Sequence, residues 1–145
     1  MARVLVIESS ARKQGSISRQ LTEQFIAHWQ AKYPTDQISV RDLAVDQVPH
    51  LDMNLLGGWM TPAEQQSEAE QAALALSNTL TDEVLAADVL VLAAPMYNFA
   101  IPSTLKSWLD HVLRAGVTFK YTDTGPVGLL SGKRAFVLTA RGGIY

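Results

Sequence analysis

The sequence predicts one α/β domain built on a doubly wound, parallel sheet. Three observations carry that reading. Val89 to Pro95, V-L-V-L-A-A-P, is an unbroken apolar run suited to a central parallel strand buried on both faces. Shorter apolar runs at Val4–Ile7 and Ala135–Leu138 are separated from it by stretches whose apolar residues recur at helical spacing. Strand–helix alternation implies parallel strands joined by right-handed crossovers. A length of 145 residues fits a single domain, residues 1–145.

The elements follow in order. Val4-Leu5-Val6-Ile7 is the first strand, and Glu8-Ser9-Ser10 opens a polar loop that runs to Ser16. Leu21, Phe25, Ile26 and Trp29 place a helix over residues 18–33, capped by Ser16 or Ser18 and stopped by Pro34. Ile38, Val40 and Leu43 alternate with polar residues, which makes 37–43 a half-exposed strand at a sheet edge. Asp46 to Met60 reads as irregular, with Pro49, Gly57 and Gly58, yet it holds more exposed apolar residues than a loop needs: Leu51, Leu55, Leu56, Trp59 and Met60. Thr61…Glu64 and Ser67…Glu70 are capping boxes, the second opening a long helix with Ala69, Ala73, Leu76, Leu80 and Val84 inward.

After the central strand, Pro102 suits a first helical position. Leu105, Trp108, Leu109 and Val112 form one helix face, and Gly116 is a natural terminator. Alternation at 117–121 followed by turn residues at 123–128 predicts a hairpin excursion, and Ala135–Leu138 is the fourth strand of the sheet. That strand is apolar like an interior one, although only a few residues follow it. The expectation is a domain cut short by at least one βα unit of about 30 residues.

Composition narrows the chemistry. With 48% hydrophobic and 18% charged residues the chain can fill a core. A net charge of −2 gives no field for nucleic acid and no basic surface for anionic lipid. The absence of cysteine excludes disulfides, zinc–thiolate sites, iron–sulfur clusters and thiol nucleophiles. His28, His50 and His111 lack metal-ligand spacing, so no metal site is expected. The apolar start is too short for a signal peptide, and no run approaches the ~20 residues of a membrane span. A cytoplasmic protein is the default expectation.

In a parallel sheet the loops after the first, third and fourth strands meet at one rim, where open α/β sheets bind ligands. In the first loop Ser10, Ser16 and Ser18 supply hydroxyls beside a helix N-terminus, which suits a phosphate; an ordinary serine-capped helix fits the same residues. Neither G-x-G-x-x-G nor G-x-x-x-x-G-K-[ST] is present. In the second loop Met96, Tyr97, Asn98 and Phe99 offer a flat apolar surface, an amide and backbone N–H groups to a heteroaromatic ring; core packing around a turn is the alternative. In the third, Arg141-Gly142-Gly143 lets backbone N–H groups approach a ligand without Cβ interference, or simply turns. Asp110 and His111 have no serine nucleophile in an elbow context, Lys106 and Arg114 read as solvated helix charges, and Glu64–Glu70 as a solvated helix start.

Together these pieces resemble the bacterial FMN-dependent NADH-azoreductases, quinone reductases of the flavodoxin-like superfamily. The resemblance rests on S-S-x(5)-S-I-S at 9–18, A-P-M-Y-N-F at 94–99 followed by I-P-S-T-L-K, R-A-G-V-T-F-K-Y at 114–121 and R-G-G-I at 141–144. It implies a flavodoxin-like sheet of order 2-1-3-4-5, here lacking the fifth strand and final helix. It implies FMN contacts at Ser10, at Ser16, Ile17 and Ser18, at Met96, Tyr97, Asn98 and Phe99, and at Ala140, Arg141, Gly142 and Gly143. No side chain acts as a nucleophile; FMN carries the chemistry. The implied activity is ping-pong, two-electron reduction of quinones and reductive cleavage of aromatic azo bonds, with NADH or NADPH as donor. The implied assembly is a homodimer, with residues 51–60 as dimer surface or pocket wall, and Phe119 and Tyr121 as further pocket walls. Relatives often carry histidine where Tyr145 stands. A flavodoxin-type electron-transfer module and an inactive truncated fragment are the competing readings.

Overall fold

The computed structural model describes residues 1–144. The role of Tyr145 therefore lies outside the described residues. Strand β1 (Arg3–Glu8) leads to α1 (Ile17–Lys32), β2 (Gln37–Asp42), α2 (Met53–Met60), a 3₁₀ turn at Ala63–Gln65, α3 (Glu68–Ala86), β3 (Val89–Pro95) and α4 (Ser103–Val112). A two-stranded excursion, β4 (Phe119–Thr122) and β5 (Gly125–Gly128), precedes β6 (Arg134–Ala140).

The main sheet has the order β2-β1-β3-β6 and all its pairings are parallel. These strands fill the 2-1-3-4 places of the expected order, and the hairpin stands apart as an antiparallel pair. Register sets the alternation of faces. Val4 pairs with Val89 and Val6 with Val91, and all four pack towards α1 with Phe25, Ile26, Trp29 and Phe136. Leu5 pairs with Leu90 and Ile7 with Leu92, on the face that meets Leu80, Val84, Leu105, Trp108 and Val112 of α3 and α4. A fully buried aliphatic side chain contributes about 1.5–3 kcal/mol, so this double burial dominates the fold's stability.

Helix ends follow local chemistry. Of the two candidate caps, Ser16 starts α1: its Oγ accepts from the Arg19 N–H. Ser67 and Glu70 form the reciprocal box that opens α3. The box expected at Thr61…Glu64 does not form; Pro62 precedes a 3₁₀ turn with no side-chain cap. Helix α4 stops at Val112, before Gly116, because the Thr118 side chain takes over its end, accepting from the Arg114 N–H and donating to the Val112 carbonyl. The Lys133 ammonium satisfies the Leu85 and Ala87 carbonyls at the end of α3.

The segment read as irregular, 46–60, is corrected in its second half to α2, capped by the Asp52 carboxylate accepting from the Leu55 N–H. Gly57 and Gly58 suggested a loop, but they serve close helix packing. A Cβ on Gly58 would lie 2.8 Å from Leu74 Cγ of α3, and one on Gly57 would meet the Glu70 carboxylate. Leu55 turns into the core at 1% exposure, while Met53 and Met60 face outward at 77% and 83%. Arg114 is no solvated helix charge: it lies beyond α4, over the Trp59 ring and bonded to Asn78 Oδ1, and burial lowers its pKa.

Replacing Gly58 by alanine forces α2 off α3, and we expect a loss of about 1–3 kcal/mol, read as a lowered midpoint in chemical denaturation. An unchanged midpoint would mean the α2–α3 approach is not tight.

Candidate functional site

The three loops, after β1, β3 and β6, do converge. One cleft of about 590 Å³ is lined by Ser10, Arg12, Gly15, Ser16, Ile17 and Ser18 from the first, by Pro95, Met96 and Tyr97 from the second, and by Thr139, Ala140, Arg141 and Gly142 from the third. The size lies within the usual range for small-molecule sites, ~300–1,000 Å³. The remaining expected residues, Asn98, Phe99 and Gly143, do not line this cleft. Asn98 and Phe99 sit exposed at the turn beside it, Phe99 at 75%. Phe119 and Tyr121 lie on the separate hairpin and do not line it either.

The first loop forms a hydroxyl floor. Ser16 Oγ donates to Ser10 Oγ at 2.9 Å and lies 3.2 Å from Ser18 Oγ, and all three residues are buried. Gly15 turns the chain into α1 with φ at +68°, a conformation costly for side-chain-bearing residues. The N-terminal peptide groups of α1 carry partial positive charge at this point, so hydroxyls and helix end together suit an anion.

Beneath the floor lies a polar knot absent from the expectations. Arg19 grips Asp42 with two bonds, Nη1 to Oδ2 at 2.7 Å and Nη2 to Oδ1 at 3.0 Å. Its Nη1 also reaches Glu8 Oε2 at 3.4 Å, while Nε donates to the Arg12 carbonyl and Nη2 to the Ser10 carbonyl. Thr22 donates to Glu8 Oε1 at 2.7 Å. The guanidinium holds Asp42 below the usual carboxylate range. Burial pushes Glu8 up, against the lowering effects of Thr22 and Arg19. Sequence reasoning missed Arg12, Arg19, Glu8 and Asp42. A cation inside the serine loop was the available signal for Arg12; the others required long-range pairing.

The second loop is a tight turn at Tyr97–Ala100. The Tyr97 N–H donates to the Ala100 carbonyl at 2.9 Å and the Ala100 N–H returns to Tyr97 at 3.1 Å. Asn98 and Phe99 have φ of 52° and 65°, the double positive pattern of a type I′ turn. Phenylalanine rarely adopts that conformation, so the closed turn holds a local backbone cost. The Met96 N–H donates to the Ala140 carbonyl at 2.8 Å, which joins the second loop to the third. At Gly142 a Cβ would meet nothing within 4 Å, so the backbone there borders open space.

Asp110 pairs with Lys106 along α4, whereas His111 is buried with Nε2 against the Pro49 carbonyl.

Comparison with known proteins places this arrangement among relatives. Residues 2–145 match the profile of a family described as having a flavodoxin-like fold. The chain is 77% identical over 145 residues to FMN-dependent NADH:quinone oxidoreductase 2 of Pseudomonas fluorescens, covering 100% of this chain and 73% of that protein. It is 78% identical, with the same coverage, to the FMN-dependent NADH:quinone oxidoreductase of Azotobacter vinelandii. Among solved structures, an azoreductase from Bacillus anthracis superposes with a TM-score of 0.93 at 33% identity, covering 100% of this chain and 71% of that one. A FMN-dependent NADH-azoreductase from the same species, solved in complex with FMN, gives 0.90 at 32% identity with the same coverage.

The Arg19–Asp42 pair has a defined pH signature. Asp42 is depressed in the fold, so its contribution is full above its ordinary value of 3.8 and disappears as pH falls through the lower folded value. We expect Asp42→Asn to lower stability by about 1–2 kcal/mol near neutrality, the difference from wild type shrinking in acid. Denaturant titrations at several pH values check this; a pH-independent difference would contradict it.

Proposed function

The chain belongs to the flavodoxin-like fold family and, within it, to the FMN-dependent NADH:quinone oxidoreductases, and on that premise we propose that its three-loop cleft holds FMN while electrons pass from NADH to quinones and aromatic azo compounds. The observation that carries the reading is the convergence itself: hydroxyls at a helix N-terminus, Met96 and Tyr97, and the Ala140–Gly142 segment line one cleft of about 590 Å³.

The residues present fit the group. Ser10, Ser16 and Ser18, with the first peptide N–H groups of α1 at Ile17, would hold the phosphate. Met96 and Tyr97 would lie against the ring, with Asn98 and Phe99 acting from the rim. The Ala140–Gly143 backbone would face the ring's polar edge, where the open space at Gly142 leaves room for N–H groups to approach negative charge. The bound cofactor would supply the two-electron redox chemistry. The protein binds and orients it, and leaves one face of the slot open to the nicotinamide donor and then to the acceptor. A flat slot of this kind selects acceptors by planarity.

We read residues 1–145 as one FMN-binding domain working as a homodimer in the cytoplasm. The outward Met53, Leu56 and Met60 of α2 are apolar groups that a second subunit would cover. No helix of the described residues is long and apolar enough to cross a membrane.

The decisive measurement is the visible absorption spectrum of the purified protein before and after FMN is added, followed by NADH. Uptake of FMN, bleaching by NADH and recovery with a quinone are expected, with parallel steady-state lines for varied donor and acceptor. A colourless protein that takes up no FMN would refute the reading.

A further inference from the structure

Tyr97 occupies an unusual place between the two halves of the cleft. Its backbone is fixed by the closed turn at 97–100, independently of the serine loop. Its hydroxyl nevertheless reaches that loop: the Ala11 N–H donates to Tyr97 Oη at 3.1 Å, and Ser10 Oγ lies 3.4 Å away. Ser10 in turn ends the hydroxyl series that runs from Ser18 through Ser16. The Tyr97 ring also borders a separate pocket of about 240 Å³ beside Ala44, Gln47 and Ser103, so it partitions two spaces.

We propose that the Tyr97 phenol is a positioning residue for the phosphate half of the cleft. By accepting the Ala11 N–H it ties the Ser10–Arg12 segment to the ring turn, and so fixes the separation between hydroxyl floor and ring surface. The Arg19 knot holds the same segment from below through the Ser10 and Arg12 carbonyls. With the carbonyls and the Ala11 amide both engaged, the segment has little freedom left. The role deepens the FMN reading given above and rests on it. It differs from ring stacking, which the ring alone provides and which Tyr97→Phe preserves.

The test compares FMN with riboflavin, which has the same ring and no phosphate. Binding of each to wild type and Tyr97→Phe is followed by quenching of flavin fluorescence, and exchange of the Ala11 amide is measured in the flavin-free protein. Loss of one neutral hydrogen bond predicts FMN affinity weakened about 3- to 10-fold, with riboflavin affinity within about twofold of wild type. Faster exchange at Ala11 is expected with it. Equal weakening of both flavins would overturn the proposal in favour of ring stacking or general loosening. Unchanged FMN affinity, or an unchanged Ala11 amide, would overturn it outright. If wild type binds neither flavin, the FMN reading falls and takes this role with it.

Discussion

The cleft depends on one guanidinium. Arg19 stands in the first turns of α1, yet its bonds run to β2 through Asp42, to β1 through Glu8, and to the loop between β1 and α1 through two carbonyls. A polar loop with many serines has weak intrinsic shape. Here its carbonyls are engaged by a planar fork that cannot lose its charge and matches a carboxylate bidentately. The opposed shifts of the two acids express the same fact. Asp42 takes the charge-assisted pairing, while Glu8 bears the burial and relies on Thr22 and Arg19 to offset it. Disturbing any partner would leave buried polar atoms of the others unsatisfied, which costs more than the bond itself.

The ring side is held by different means. Strand β3 ends against β6 in register, Pro95 opposite Ala140, and the Met96 N–H continues the ladder by one bond. The chain then reverses within a single turn whose central residues are Asn98 and Phe99, both in the left-handed region. Asparagine tolerates that region; phenylalanine does not do so readily. The sequence keeps an aromatic where glycine would be easier, at the rim of the cleft, as expected where local strain is retained for a site's sake.

Helix packing behind the sheet carries these loops. Trp108 is almost fully buried between the sheet and α3, and Ser77 of α3 donates to the His111 carbonyl of α4. The close approach at Gly57 and Gly58 brings α2 against α3, and Arg114 closes the far end over Trp59. Since α4 follows the ring turn directly, its seating in this core fixes where Tyr97 can stand.

The family resemblance supplied the strand order; the pattern of residues by itself determined the parallel sheet, the Ser67 cap, a cap at Ser16 or Ser18, and the meeting of three loops at one rim. Each of these follows from short-range periodicity and from the shared direction of parallel strands. Of the twelve residues the resemblance implies as cofactor contacts, nine line the cleft and Asn98, Phe99 and Gly143 do not. The helix at 53–60 was hidden because glycine reports conformational freedom locally but close packing only once a partner is known. Asp42, Glu8 and the Tyr97–Ala11 bond were likewise hidden, since their partners lie 11 to 86 positions away along the chain. Tertiary structure alone decided them: a polar group's value depends on which other groups reach it after folding, and spacing in sequence carries no record of that.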